Sequence, residues 1–408
     1  MTTAATTELE VAGRIHLAKG KAKPFWYRHP WVFAGAVARV EGSPADGDVV
    51  DVRDETGRFV ARGFYNANSQ IRVRILTFRE NEKPGAAMVR ERLAKALEFR
   101  RSFFSLPSAE TDSFRLVHSE GDSLPGLVVD VFGGVVVVQY SSAGMRRLQD
   151  SVHDSLESLL APKAVYERVS GFAVEKEKLF GESGVRRGAL DDTVVTYRQN
   201  GVLFRADLAK GQKTGAYLDQ RDNHLRLASF CAGKRVLDAF THAGGFALTA
   251  AVRGGAASVL AIDSSESALR LANDGAALNG VADRVAFVEG DAGEVMGDVA
   301  RRGDLYDVVC VDPPKFARTR DEKEGAVRAY TELFHIAMKT LRPGGLLLGC
   351  CCAYHVSLDD LFFALNAAGR EAGREVQVFG IGSQSGDHPV RTPLLEGLYL
   401  KAVYCRIP

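Results

Sequence analysis

Residues 234–245, KRVLDAFTHAGG, place an apolar run, a carboxylate and a glycine turn in immediate succession. The run KRVLDAF has the length and composition of a buried strand, and the helical pattern GFALTAAVRG begins at Gly245. Beyond it, apolar runs alternate with segments of helical periodicity. The strands predicted there lie at 258–263, 285–291, 306–312, 346–352, 376–382 and 397–405, with helices at 266–280, 292–302, 326–341 and 358–371. Apolar strands separated by helices predict an α/β fold, in which helices cover both faces of a parallel sheet.

Three carboxylates stand at the ends of the first three of these strands. Asp238, Asp263 and Asp291 each close an apolar run, and Gly244 and Gly245 follow the first of them. In open parallel sheets a ligand binds at the carboxyl ends of the strands, against the start of the first helix. A glycine turn that only packs tightly, and an aspartate that only caps a helix, are the structural alternatives.

The spacing of the glycines distinguishes between two nucleotide cofactors. A nicotinamide cofactor is typically bound by G-x-G-x-x-G, whereas here Phe246 stands two residues after Gly244. The pattern therefore favours S-adenosylmethionine (SAM), and it resembles the Rossmann-like class I SAM-dependent methyltransferases. That resemblance assigns the methionine end to Asp238 with the glycines, the ribose to Asp263, and the adenine to Asp291 with the segment after it.

The fourth strand ends in Asp312-Pro313-Pro314-Lys315. Two prolines make a stiff loop without two backbone donors, which would present the Asp312 carboxylate at the reactive end of the cofactor. Asp-Pro-Pro is also the motif of amino-group methyltransferases, which place an aromatic residue next to stack the base, whereas Lys315 follows here. Methylation of a base nitrogen is therefore one hypothesis, and a turn that only ends the strand is another.

The fifth strand ends at Cys352, which would face Asp312 across the same pocket. Alternation along a strand turns the side chain of Cys351 away from those of Cys350 and Cys352. Cys350 and Cys352 point in the same direction, but only Cys352 reaches the carboxyl end of the strand. A thiolate that adds to C6 of a cytosine makes C5 nucleophilic, a form of covalent catalysis that cysteine supports. Lys315 and His355 are the candidates to lower the pKa of that thiol. Cys352, Asp312 and Lys315 are thus the predicted catalytic residues.

Longer motifs extend a resemblance over nearly the whole chain. They are LAKGKAKPFWYRHPWVFAGAVARVEG at 17–42, ARGFYNANSQIRVRI at 61–75, GDSLPGLVVDVF at 121–132, KTGAYLDQRDNH at 213–224, FTHAGGFALTA at 240–250, DPPKF at 312–316 and DHPV…PLLEGLYLKA at 387–402. With these motifs the chain resembles the large-subunit rRNA cytosine-C5 methyltransferases of the RlmI type. The resemblance implies a PUA domain over residues 1–80, a central α+β domain over 81–200 and a methyltransferase domain over 201–408.

The same resemblance implies further site residues. Lys213, Tyr217, Asp219 and Gln220 would close over the amino-acid end of the cofactor. The catalytic cysteine of the family lies in a Ser-Cys-Ser tract, from which this chain departs at both flanking positions. The cofactor-binding residues predicted in total are Asp238, Phe240, Gly244, Gly245, Asp263, Asp291, Ala292, Asp312, Tyr217 and Gln220.

The N-terminal segment is where the sequence indicates RNA binding. The net charge is only +1, but residues 11–40 hold six Lys or Arg residues and no acidic residue, interleaved with aromatic residues. Short alternating runs at 31–37, 49–54, 59–65 and 71–78 predict a small β-barrel around them. The residues predicted to contact RNA are Lys19, Lys21, Lys23, Arg28 and Trp31.

Composition limits the remaining function classes. The spacing of the six cysteines fits neither a disulfide framework nor a zinc site, so we expect reduced thiols and no metal. Residues 1–10 lack the pattern of a secretory signal and no long apolar run occurs, so we expect a cytoplasmic protein that binds no membrane. Large-subunit rRNA is the expected partner, a homodimer stays open, and an RNA-binding assembly factor that lost catalysis is the non-enzymatic alternative.

Overall fold

The computed structural model describes residues 8–408, except for the side chains of residues 172, 173 and 176. Most of the N-terminal segment in which no signal pattern was found therefore lies outside the described residues. Among the residues that are described, no helix is both long enough and apolar enough to cross a membrane.

The N-terminal part is a six-stranded sheet. Its strands are β1 (Val11–Leu17), β2 (Trp31–Phe33), β3 (Val37–Gly42), β4 (Val49–Arg53), β5 (Phe59–Tyr65) and β6 (Ile71–Thr77), with helix α1 (Lys23–Trp26) between the first two. They pair in the order β2-β6-β5-β4-β1-β3. The turn at residues 55–57 joins β4 to β5, and the Asp54 carboxylate holds it by accepting hydrogen bonds from the backbone N–H groups of Thr56 and Arg58. The sequence pattern does not predict β1 or β3, because most of their side chains are exposed or half-buried.

The central part begins with a long helix. Its elements are α2 (Ala86–Phe104), β7 (Ser113–His118), β8 (Leu127–Phe132), β9 (Val135–Tyr140), α3 (Ala143–Arg147), α4 (Gln149–Leu160), β10 (Ala164–Glu167), α5 (Gly171–Glu177) and β11 (Gly184–Gly188). The five strands form one sheet in the order β11-β10-β9-β8-β7. The predicted α+β character is therefore present.

A hairpin connects the central part to the C-terminal part. Its strands, β12 (Val194–Gln199) and β13 (Val202–Asp207), pair only with each other. The domain division predicted at residue 200 thus falls in the turn of this hairpin. The backbone N–H of Leu203 donates to the Asn279 side chain, which fastens β13 to the C-terminal part.

The C-terminal part is the predicted α/β unit. Its elements are α6 (Arg221–Ala228), β14 (Arg235–Ala239), α7 (Gly245–Val252), β15 (Ser258–Asp263), α8 (Glu266–Leu278), β16 (Val285–Glu289), α9 (Ala292–Arg302), β17 (Tyr306–Val311), α10 (Lys323–Lys339), β18 (Leu341–Cys351), α11 (Leu358–Ala372), β19 (Gln377–Gly382) and β20 (Lys401–Ile407). The strand order is β16-β15-β14-β17-β18-β20-β19, and β20 runs antiparallel to the other six strands of this sheet. The order reverses between β14 and β17, so a crevice opens at the carboxyl ends of the central strands.

Buried ion pairs join the N-terminal and central parts. The Trp31 indole donates to a carboxylate oxygen of Glu120 at 2.7 Å, and Arg74 donates to the same oxygen at 2.9 Å. Arg74 also donates to Glu177 at 3.1 Å, and Glu177 accepts from Ser69. All three charged side chains are buried, so these contacts fix how the two parts dock.

Candidate cofactor and catalytic site

A cavity of about 810 Å³ opens at the carboxyl ends of the parallel strands. Phe240, Asp263, Asp312 and Cys352 line it, each directly after or at the end of one of four neighbouring strands. Phe240 has a φ of +65°, which is uncommon for a residue with a side chain and turns the loop sharply after β14. The strand order thus brings together residues that lie far apart in the sequence, from Phe240 to Cys352.

Asp238 supports this loop from below and does not line the cavity. Its side chain is fully buried, and one carboxylate oxygen accepts from the Thr241 hydroxyl at 2.6 Å and from the Ala247 backbone at 2.9 Å. Burial raises the pKa of Asp238 to about 7. Gly244 caps α7 with a φ of +84°, and a Cβ there would lie 2.9 Å from Leu248. Both residues therefore shape the glycine turn on which the cofactor would rest.

Asp263 and Asp291 line the cavity and also hold backbone groups. Asp263 accepts from the backbone of His242 at 2.8 Å and of Ser265 at 2.9 Å. Asp291 caps α9 and accepts from the backbone of Glu294, while Ala292 behind it is buried and does not line the cavity. Asp291 therefore does cap a helix, which was the structural alternative, and the carboxylates of Asp263 and Asp291 nevertheless both face the crevice.

The segment between β13 and α6 covers the other wall. Tyr217 and Gln220 line the cavity, together with Lys213 and Asp219. Lys213 donates to Asp219 at 2.6 Å, and the Tyr399 hydroxyl donates to the same oxygen at 2.6 Å. Although burial opposes it, the charges of Lys213 and His388 hold the pKa of Asp219 well below its usual range. Asp219 is therefore a charged carboxylate that is paired with the Lys213 ammonium group in the cavity wall.

The catalytic residues predicted from the sequence meet at one end of the cavity. Burial and the charge of Asp219 raise the pKa of Asp312 to about 7, and Gln220 donates to its carboxylate at 3.0 Å. Burial and the charge of Asp312 raise the pKa of Cys352 to about 11, while Lys213 and Lys315 act in the opposite direction. Cys352 is therefore a thiol near neutral pH unless a ligand changes its surroundings.

The three consecutive cysteines have different surroundings. Cys350 belongs to the apolar cluster on one face of the sheet and Cys351 to the cluster on the other face. Of the six cysteines in the chain, Cys352 alone is not buried. It follows the last residue of β18 directly, so the strand ends one residue earlier than predicted. Lys315 is exposed and lines the cavity, whereas His355 does not line it and packs against Tyr354.

Several lining residues escape sequence reasoning. Tyr197, Gln199 and Phe204 come from the β12–β13 hairpin, and His224 comes from α6. His224 lies inside a motif on which the resemblance rests, but nothing in its spacing marks it. The hairpin residues carry no signal at all, because their place follows only from how the hairpin packs on the α/β unit.

The basic N-terminal residues lie outside this cavity. Lys19, Lys21, Lys23 and Arg28 are exposed, whereas Trp31 is partly buried and its indole N–H is taken by Glu120. Trp26 and Tyr27 are the more exposed aromatic residues of that segment. Among the residues that the structure describes, no group of three or more His, Cys, Asp or Glu side chains could hold a metal ion.

Comparisons with known proteins agree with this geometry. A family model described as a PUA-like domain matches residues 15–78, and one described as S-adenosylmethionine-dependent methyltransferase matches residues 114–380. Two proteins named ribosomal RNA large subunit methyltransferase I are each 37% identical to the chain over 97% of its length. One is from Klebsiella pneumoniae (strain 342), with 98% of its own length covered, and one is from Escherichia coli O139:H28 (strain E24377A / ETEC), with 99% covered.

Solved structures share the fold over the whole chain. A protein described as a methyltransferase and solved in complex with SAH matches with a TM-score of 0.83 at 18% identity, covering 96% of this chain and 99% of that chain. A SAM-dependent methyltransferase from Streptococcus mutans matches with a TM-score of 0.81 at 17% identity, with the same coverage.

Proposed function

The chain belongs to the S-adenosylmethionine-dependent methyltransferase family that includes ribosomal RNA large subunit methyltransferase I, and on that premise we propose that it methylates C5 of a specific cytosine in large-subunit ribosomal RNA. The observation that carries this proposal is the meeting of Asp312 and the partly exposed thiol of Cys352 at one end of the cavity. An rRNA substrate would also place the protein in the cytoplasm.

The residues of the cavity fit the cofactor of the family. Gly245 lines the cavity at the start of α7, and the carboxylates of Asp263 and Asp291 face the crevice where hydroxyl and amino groups need acceptors. A buried amide nitrogen of Gln199 in the same wall has no partner among the described residues. When bound, SAM supplies a methyl group that a carbon nucleophile can attack.

The residues of the chain would prepare that nucleophile. The Cys352 thiolate adds to C6 of the cytosine, which gives C5 the electron density to form its new bond, and loss of the C5 proton then releases the sulfur. The Asp312 carboxylate, held by Gln220, faces the same space and would bind the polar edge of the base. Its pKa near 7 allows it to be either a donor or an acceptor there.

A trapped adduct tests this proposal. Large-subunit rRNA is transcribed with 5-fluorocytosine in place of cytosine, so that the target position need not be known. Fluorine cannot leave C5 as a proton does, so the wild-type protein should stay bound to the methylated RNA. The covalent band should persist in Cys350→Ala and Cys351→Ala and disappear in Cys352→Ala.

Two results would contradict it. A band lost in Cys351→Ala alone would move the nucleophile to the position where the chain departs from the Ser-Cys-Ser pattern. No band in any variant, together with methylation of ordinary rRNA, would favour methylation of a base nitrogen through Asp-Pro-Pro. Mass spectrometry of the nucleosides separates that product from 5-methylcytosine, and a protein that binds rRNA without transferring methyl groups would be an assembly factor.

A further inference from the structure

Two buried polar side chains in the cavity wall have no part in the mechanism above. His224 on α6 is 6% exposed and Gln199 on β12 is 3% exposed, and both line the cavity. The ring Nδ1 of His224 lies 3.2 Å from Oε1 of Gln199. The amide nitrogen of Gln199 has no partner among the described residues. A buried donor without an acceptor is destabilising, so this nitrogen points to a ligand group that accepts its hydrogen bond.

His224 is positioned against the first turn of α7. A Cβ added to Gly245 would lie 2.6 Å from the ring Nε2 of His224, so only glycine leaves room for the ring there. The ring also packs edge-on against Phe246, with 4.5 Å between the ring centroids. Its Nε2 is thus held beside the start of α7, and the backbone N–H groups of that first turn can donate to an anion next to the ring.

The hydrogen-bonding capacities of the pair are complementary to an amino acid. With Oε1 of Gln199 as the acceptor, Nδ1 of His224 carries the ring proton and Nε2 becomes an acceptor. Burial lowers the pKa of His224 to about 3, so the ring is neutral. The wall therefore offers one acceptor, the ring Nε2, beside one donor, the Gln199 amide. An amino acid presents an ammonium donor beside a carboxylate acceptor.

We propose that His224 and Gln199 bind the amino-acid end of the cofactor. The ammonium group donates to Nε2 of His224, and the carboxylate accepts from the Gln199 amide and from the first turn of α7. Asp238, which the sequence suggests for this end, lies beneath the loop and does not line the cavity, although one of its carboxylate oxygens also has no partner among the described residues. The inference rests on the cofactor that the family model establishes, so its failure would leave the proposed RNA substrate standing.

Two ligands that differ only at this end provide the test. S-adenosylhomocysteine carries the amino acid, whereas 5′-methylthioadenosine has the same nucleoside and a thioether without it. Calorimetry gives the Kd of each for the wild type, His224→Phe and Gln199→Leu. The control is His153→Phe, which removes another buried histidine that bonds Tyr140 and does not line the cavity.

Each site variant should weaken S-adenosylhomocysteine about tenfold or more and leave methylthioadenosine nearly unchanged, as expected for the loss of one hydrogen bond to a charged group. The control should change neither Kd. Both ligands are measured on the same protein, so partial unfolding lowers the number of sites and not the ratio of the two values. If His224→Phe does not fold, His224→Asn takes its place. Equal weakening of both ligands, or no change in either, would overturn the inference.

Discussion

At the scale of single residues, the site contains two aspartic acids whose pKa values burial raises to near neutral pH. The pKa values of Asp238 and Asp312 are both raised to about 7, although only Asp312 lines the cavity. Burial and, after it, the charge of Asp312 raise the pKa of Cys352 to about 11. The protonation of Asp312 therefore affects how readily the thiol ionises.

Asp312→Asn should make Cys352 more reactive. The wild-type carboxylate is mostly charged at pH 8, above its pKa of about 7, and it opposes the thiolate. Removing that charge lowers the pKa of Cys352, so alkylation by iodoacetamide at pH 8 should be several-fold faster. At pH 6 the wild-type carboxylate is largely protonated, so the difference should shrink. Mass spectrometry measures the rate, with Asp283→Asn, an exposed site outside the cavity, as the control.

Asp263→Ala should weaken SAM binding by about 1.5–3 kcal/mol, the usual cost of losing a hydrogen bond to a charged group. Because Asp263 also holds the backbone of His242 and Ser265, the same change loosens the loop. Ser265→Ala is the matched control, since it removes only the cap of α8. Calorimetry with both variants decides the matter, and an unchanged SAM affinity in folded Asp263→Ala would remove this carboxylate from the site.

At the scale of elements, the sequence predicts most of the sheet that builds the site. Apolar runs identify β14 to β18, and their strand-end residues Asp263, Asp291, Asp312 and Cys352 line the predicted crevice. Asp238 shows the limit of this reasoning, because position at a strand end does not tell whether a carboxylate faces the ligand or the loop below it. The β12–β13 hairpin contributes Gln199 to the wall through tertiary packing, for which no local pattern exists.

The turn after β18 is held by the neighbouring strand β20. The ammonium group of Lys401 donates to the backbone oxygen of Ala353 at 2.7 Å, one residue beyond Cys352. Lys401 is half-buried, and burial lowers its pKa. Lys401 should therefore position Cys352 without touching the cofactor.

Lys401→Met should slow adduct formation with 5-fluorocytosine RNA about tenfold, if most of the ~1.5 kcal/mol of this hydrogen bond is felt at the sulfur. The affinity for SAM should not change, because Lys401 does not line the cavity. Lys401→Arg keeps a cationic donor and should recover most of the rate. A parallel loss of SAM binding in Lys401→Met would instead indicate a general disturbance of the sheet.

At the scale of the whole molecule, the family models confirm the predicted PUA-like domain and α/β methyltransferase fold. The sequence does not predict how the N-terminal part docks, because Trp31 and Arg74 meet Glu120 from distant positions in the chain. This docking bears on any truncation. Deleting residues 1–80 would leave the buried carboxylates of Glu120 and Glu177 without Arg74, so point variants are the better probes.

Arg74→Met should lower the thermal unfolding temperature markedly. Breaking a buried ion pair by removing one partner costs about 3–5 kcal/mol, because the remaining charge stays buried. Arg58→Met is the control, since Arg58 is largely exposed and its pair with Asp54 should contribute about 1 kcal/mol or less. Calorimetric scans of both variants make the comparison. Equal unfolding temperatures would show that the docking contacts contribute little to stability.

RNA binding by the N-terminal part should show in the dependence of affinity on salt. Lys19, Lys21 and Lys23 are exposed. If each contacts a phosphate, changing all three to Gln removes about three released counterions, and the slope of log Kd against log salt should fall by about 2–3.

The control is a second triple variant with the same change in charge on other parts of the surface, in which Lys163, Lys210 and Lys234 are changed together to Gln. Filter binding of large-subunit rRNA between low and physiological salt measures both slopes. SAM affinity should stay constant in both triple variants, because none of the six lysines lines the cavity. Equal slopes for the two triple variants would move the RNA-binding surface away from the N-terminal segment.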